Sequence, residues 1–238
     1  MNLPKRITPC PIIDTSIDVR FESDSPSVVI LGKIINDVIG NYPTLEELPI
    51  LQFPEELRKN DPDLKYKPTH KISNHNFILQ VGPNVFCFGS GENYQGWDNY
   101  SREFNRLLSK IIELPMILKF SRIGLRYINF FSEDIYANIS LQVLHNNSDL
   151  QSFNKLVKFE LRKDSFNQSV TIANNTSLVS NNKPLFGSVI DIDTYTSSQN
   201  DLVKTEIINS FEKAHNTEKE LFFNLLNTSF IEKLNPEF

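Results

Sequence analysis

Residues 13–22, Ile13-Asp14-Thr15-Ser16-Ile17-Asp18-Val19-Arg20-Phe21-Glu22, alternate without a break between apolar or β-branched and polar side chains. Successive side chains of a strand point to opposite faces, so this stretch reads as a strand with one dry face and one wet face. The dry face needs a cover, and the next residues supply one. Ser25-Pro26 offers a cap and a first-turn proline, and Val28, Leu31, Ile34, Ile35 and Val38 recur at helical spacing until Gly40-Asn41 and Pro43 end the run. A strand followed by a helix over about 26–40 is the expectation.

Further along, prolines at 43, 49, 54 and 62 break residues 42–63 into an irregular connection with room for a short helix at Glu55 to Lys59. Strands at Lys65 to Ser73, Phe77 to Val81 and Val85 to Ser90 meet through turns at Asn74-His75 and Gly82-Pro83-Asn84. Trp97, Tyr100, Phe104, Leu107, Leu108 and Ile111 return to helical spacing before Pro115. A long strand, Leu118 to Phe131, leads to a short helix near 135–138 and to strands at 141–145, 157–162, 169–173, 177–179 and 186–195. The last long helix, from about 201 to 226, carries Val203, Ile207, Phe211, Ala214, Leu221 and Leu225 on one side, and Thr228 caps a final turn. The fold class is therefore α+β, a largely antiparallel sheet with helices packed on one face.

The order strand, helix, strands, helix occurs twice. It divides the chain at residue 116 into two tightly associated halves, 1–116 and 117–238, each a β-α-β(3–4)-α unit of helix-grip type. Val19-Arg20-Phe21 falls on Leu125-Arg126-Tyr127 when Arg20 is laid on Arg126, an offset of 106 residues. The same offset predicts a helix at 203–219 and a strand at 191–196.

Composition narrows the chemistry. A net charge of −5 over 238 residues disfavours broad electrostatic attachment to nucleic acid or an anionic membrane. Cys10 and Cys87 have no ligand spacing around them, which fits reduced thiols in a cytoplasmic protein. No apolar run approaches the length of a membrane span, and no cationic and apolar leader precedes Ile12. Phe88-Gly89-Ser90-Gly91-Glu92 lacks the spacing and the Lys-Ser/Thr pair of a phosphate loop, so no cofactor is implied. His70, His75, His145 and His215 are scattered, with no metal-ligand partner at helical or strand spacing.

Two constellations remain. Asp191 and Asp193 share one face of a strand, as a pair of oxygen ligands for a divalent cation would, or as the wet face of an amphipathic strand would. Lys119 to Phe131 places Arg122 and Arg126 on one face with Phe120, Ile128 and Phe130, and Leu125, Tyr127 and Asn129 on the other. Guanidinium groups among aromatic rings can hold a phosphate, a carboxylate or an unstacked base. Otherwise they pair with carboxylates such as Asp18 or Glu160. The candidate ligand-binding residues are Arg122, Arg126, Tyr127 and Asn129, the candidate metal ligands are Asp191 and Asp193, and no catalytic set is assembled.

Pro9-Cys10-Pro11-Ile12-Ile13, Tyr66-Lys67-Pro68-Thr69-His70, Tyr94-Gln95-Gly96-Trp97 and above all Gly124-Leu125-Arg126-Tyr127-Ile128-Asn129 resemble a family of sporadically distributed, uncharacterised bacterial proteins of about this length. The resemblance extends through Asp191-Ile192-Asp193 and Ala214 to Phe222, although Cys10 and Asp14-Thr15 stand where the family has a Pro-Pro-Ile-x-Glu-Ala-like strand. It implies carriage on mobile genetic cargo, where antiphage defence and toxin-antitoxin components are frequent. The expected function is thus a non-catalytic binding or regulatory protein with another protein as partner, able to pair with itself through exposed strand edges. An enzyme acting on a nucleotide or nucleic acid through the arginines and aspartates, and a single-stranded nucleic-acid binder, are the alternatives.

Overall fold

The alternating segment forms strand β1 (Ile12–Ser23), with Ile17, Val19 and Phe21 fully buried and Asp14 and Ser16 exposed. The computed structural model of the chain describes residues 3–91, 93–149, 153–180, 183–197, 202 and 204–238. Helix α1 (Ser27–Val38) follows β1 as expected. It buries Ile30 and Ile34 and partly covers Leu31 and Ile35, whereas Val28, in the first turn, stays 75% exposed. The side chain of Val38 lies outside the described residues.

Strand β2 (Thr44–Glu47) and helix α2 (Glu55–Asn60) come next, then β3 (His70–Ser73), β4 (Phe77–Gly82), β5 (Val85–Ser90) and helix α3 (Trp97–Ile112). The long strand is β6 (Ile117–Phe131). After it come the small hairpin β7 (Leu144–His145) and β8 (Ser148–Asp149), then β9 (Leu156–Lys163), β10 (Phe166–Ser180) and β11 (Lys183–Thr196). Helices α4 (Ile207–Leu225) and α5 (Thr228–Lys233) close the chain. The start of the last long helix, expected at Asp201 and Val203, lies outside the described residues.

The architecture is α+β. One nine-stranded antiparallel sheet has the order β2-β3-β4-β5-β1-β6-β11-β10-β9, and helices pack on it. Around the β1–β6 boundary the order of element types is mirrored, since each first strand lies beside the last strand of its own half. The offset of 106 residues puts the expected strand at 191–196 inside β11, and the expected helix at 203–219 overlaps α4. The second half has only a 3-10 turn at Ile135–Ala137 where the first has α1.

Packing divides the chain into two compact units that do not follow the sequence order. One unit holds residues 16–125 and 195–212, and the other holds 1–15, 126–194 and 213–238. In the first, Phe104 stacks on Phe86 and meets Phe211 edge-on at 4.7 Å, which seats α3 against β5 and the start of α4. In the second, Val170, Ile172, Ile190 and Ile192 pack with Phe222, Leu225 and Phe230.

The structure departs from the sequence pattern at four places. The strand expected from Lys65 begins only at His70, because Asp61-Pro62 starts a series of turns, with Lys65 N–H bonded to Asp61 O and Lys67 N–H to Leu64 O. β2 carries no apolar alternation, all four side chains being exposed, so nothing in its pattern marks it as a strand. The two short strands expected at 169–173 and 177–179 are one, β10, which passes through Asn175 at φ 47. An Asn pair there makes a local kink instead of ending the strand. Asn227 rather than Thr228 is the residue that precedes the final helix.

Candidate functional site

β6 carries the candidate residues and its burial sorts them. Arg126, Ile128 and Phe130 lie on the wet side, while Leu125, Tyr127, Asn129 and Phe131 are buried, as the alternation from Arg122 onward requires. Phe120 does not share a face with Arg122. It is fully buried, with its ring 6.3 Å from that of Phe21, and Ser121 beside it is buried too. Two successive buried residues mean that the alternation slips by one place, as at a β-bulge. The carbonyl of Phe120 is bonded by Leu202 N–H at 2.9 Å.

Arg122 reaches across to Asp18, its Nη1 donating to the two carboxylate oxygens at 2.7 and 2.6 Å. Its guanidinium lies 4.6 Å above the Tyr195 ring, a cation–π contact in a partly desolvated place. Gly124 makes room for the pair, because a Cβ there would overlap Asp18 Oδ1. Beside them Arg20 sits 4.9 Å over the ring of Tyr66, which brings the turns before β3 against this side of the sheet.

Arg126 forms a two-pronged pair with Asp191, Nε to Oδ1 at 2.8 Å and Nη2 to Oδ2 at 2.6 Å. These hydrogen bonds raise the arginine's pKa above its ordinary value. Both oxygens of Asp191 are thereby occupied. Among the described residues no group of three or more His, Cys, Asp or Glu side chains is placed to hold a metal ion.

Tyr127 and Asn129 lie on the helix-covered side. Asn129 Nδ2 donates to Ile190 O at 3.2 Å. Tyr127 N–H, a backbone donor of β6, goes to Glu218 Oε1 at 3.2 Å, and the Tyr127 hydroxyl is 3.3 Å from His215 Nδ1. Glu218 is 2% exposed. Burial, reinforced by the charge of Asp193, lifts its carboxyl pKa well above 4.5, against the lowering effect of the Tyr127 N–H and the Thr194 hydroxyl. Its Oε2 has no hydrogen-bond partner among the described residues. Gln168 completes the cluster by donating to Thr194 Oγ1 at 3.2 Å and to Thr217 O at 3.4 Å. His215 is lowered to about 3, by burial first and then by Lys219, and so stays a neutral imidazole.

The pattern reading passes over Glu218 and Gln168. A signal for the first is nonetheless present: Ile207, Phe211, Ala214, Glu218, Phe222 and Leu225 recur at three- and four-residue spacing, and Glu218 is the one ionisable group in that stripe. Cys10 is exposed. Burial pushes the Cys87 thiol up to about 12, the opposite of what a reactive cysteine needs.

Fold and site together define an α+β protein whose wet sheet face carries closed arginine–aspartate pairs and whose covered face buries a carboxyl, Glu218, with a raised pKa. No family model matches the sequence, and no curated protein matches it.

Proposed function

We propose that this chain is a binding or regulatory protein without catalytic chemistry, and that its contact surface is the wet side of β6 and β11 around Arg126, Ile128 and Phe130. The observation that carries this reading is the separation of roles between the two faces. The groups able to move a proton, Glu218 and His215, lie between α4 and the sheet. The wet side offers Arg126 already neutralised by Asp191, next to an aliphatic and an aromatic side chain of intermediate exposure. Arginine with aromatic neighbours is what protein interfaces enrich, and a paired guanidinium loses less on being covered than a bare one. The expected partner is another protein. Its setting in a mobile defence or toxin-antitoxin system rests on the family resemblance alone.

The test uses the full chain as bait in host cells expressing the neighbouring gene products, with an Arg126→Glu bait in parallel. That substitution sets two carboxylates against each other on an exposed face and leaves the core untouched. The expected result is a stoichiometric partner on the natural chain that the variant fails to retain. Recovery of no partner, or of the same partner in equal yield on both baits, overturns the reading.

A further inference from the structure

The last strand of the sheet, β9, has β10 as its one neighbour among the described residues, and pairs with it in unbroken register from Phe166↔Lys163 to Ala173↔Leu156. Natural edges are normally blunted by shortness, proline, a bulge or charged side chains, and of these β9 has only the charges, which a partner of opposite sign can satisfy. The opposite edge follows that rule, since β2 has four residues. β9 has eight, contains no proline, and leaves Leu156 72% and Leu161 43% exposed. Within Leu156-Val157-Lys158-Phe159-Glu160-Leu161-Arg162-Lys163, residues 157–162 alternate apolar and charged side chains, while Leu156 lies on the charged side and Lys163 on the apolar side. Val157 and Phe159 are half-buried, Phe159 packing against the core, and Leu161 continues that side of the strand. Lys158, Glu160 and Arg162 stand exposed on the other side, where the residues directly opposite on β10 are Thr171, Ser169 and Asn167, none of them charged.

We infer that β9 is the contact through which a second copy of this chain adds its own β9, antiparallel, about a two-fold axis at Phe159. A two-fold axis normal to a sheet pairs residues of like face, so it must fall on a residue and not between two. Centred on Phe159, it sets Phe159 against Phe159, Val157 against Leu161 twice, and Lys158 against Glu160 twice. The apolar side of each edge then continues the other's core, and the charged side closes two ion pairs. The outermost charge, Lys163, already has Glu220 at 2.6 Å in its own chain. Centring on Glu160 instead would oppose Glu160 to Glu160 and Lys158 to Arg162, all of like sign. Centring on Leu161 would pair Glu160 with Arg162, but it overlaps only residues 159–163 and sets Phe159 against Lys163, so the register on Phe159 is the one that matches charge and apolar contact over the longest stretch of the edge.

Sedimentation equilibrium of the full chain tests this. The natural protein is expected at about twice its 27.4 kDa chain mass. Lys158→Glu and Glu160→Lys each set like charges face to face on both sides of the axis, so each is expected at the single-chain mass with an unchanged circular dichroism spectrum. Two results then single out this register. The double variant K158E/E160K regains the doubled mass, because both ion pairs re-form with their signs exchanged. An equimolar mixture of the two single variants regains it too, because one copy then presents two carboxylates where the other presents two ammonium groups. A natural chain that stays monomeric up to its solubility limit overturns the inference. So do single variants that keep the doubled mass, a double variant that stays monomeric, and open-ended species larger than a dimer.

Discussion

Helices α3 and α4 follow the last strand of their respective halves, yet they cover the sheet with different materials. The buried face of α3 is Tyr100, Ser101, Phe104, Leu107, Leu108 and Ile111, and the hydroxyl of Tyr100 is closed off by Phe88 O at 2.7 Å. The buried face of α4 has Ile207, Phe211, Ala214 and Phe222, but also Thr217, Glu218 and a largely buried His215. The difference follows from the sheet below. Under α4, β6 presents Tyr127 N–H away from the ladder, and Glu218 supplies the acceptor that this buried donor needs. A polar residue in an apolar stripe is thus the answer to a backbone group that the strands leave unpaired. α3 should behave as a hydrophobic anchor at every pH, and α4 as an anchor whose strength depends on protonation.

The largest effect belongs to the anchor. Phe104→Ala removes a fully buried ring that touches Phe86, Phe88 and Phe211, and it should cost about 3–5 kcal/mol in urea unfolding at neutral pH. The curve of stability against pH should drop as a whole without changing shape. A loss well under that range would mean that the two helices do not differ as described.

The next effect concerns that shape. Glu218 binds its proton more tightly in the folded chain than at the ordinary 4.5, so its contribution is complete below that value and is lost as pH rises toward the folded pKa. His215 has the opposite sign. Its folded value near 3 lies below 6.5, so its contribution is complete above pH 6.5 and is lost as pH falls toward 3. Above 4.5, and up to the lower of 6.5 and the folded pKa of Glu218, the two slopes oppose each other. Each single slope is at most about 1.4 kcal/mol per pH unit. Urea midpoints measured across pH should show Glu218→Gln flattening the alkaline fall, and His215→Phe flattening the acid fall. A Glu218→Gln variant whose curve parallels that of the natural protein at every pH above 4.5 would mean the carboxyl titrates in the fold as it does in the unfolded chain.

The same contrast explains what the sequence discloses. β1, β5, α3 and most of β6 are legible because their burial follows one period for many residues, as Ile17-Val19-Phe21 and Tyr100-Phe104-Leu107-Ile111 do. Arg122 finds Asp18, one of the carboxylates open to it on the alternation of β1. Arg126 takes Asp191 rather than Glu160, because β11 lies beside β6 whereas β9 is two strands further out, and strand order is not written in periodicity. The bulge at Phe120-Ser121 and the kink at Asn175 escape for a related reason, since each is a one-residue departure within a strand. Glu218 is hidden more deeply, for its partner is a main-chain N–H, identical at every residue until the fold selects one.

The smallest effects separate a single closed bond from a shared network. Tyr100→Phe leaves Phe88 O without its 2.7 Å hydroxyl donor in the α3 core, and should lower stability by about 1 kcal/mol. Tyr127→Phe removes a longer contact, 3.3 Å to His215 Nδ1, and keeps both the ring and the N–H that serves Glu218. Its cost should stay within about 0.5 kcal/mol, since a hydrogen bond of that length contributes little. If Tyr127→Phe proved the costlier of the two, and shifted the acid fall set by His215, then the polar groups beneath α4 would act as one coupled unit. Glu218 would in that case be held by the whole cluster and not mainly by the β6 backbone.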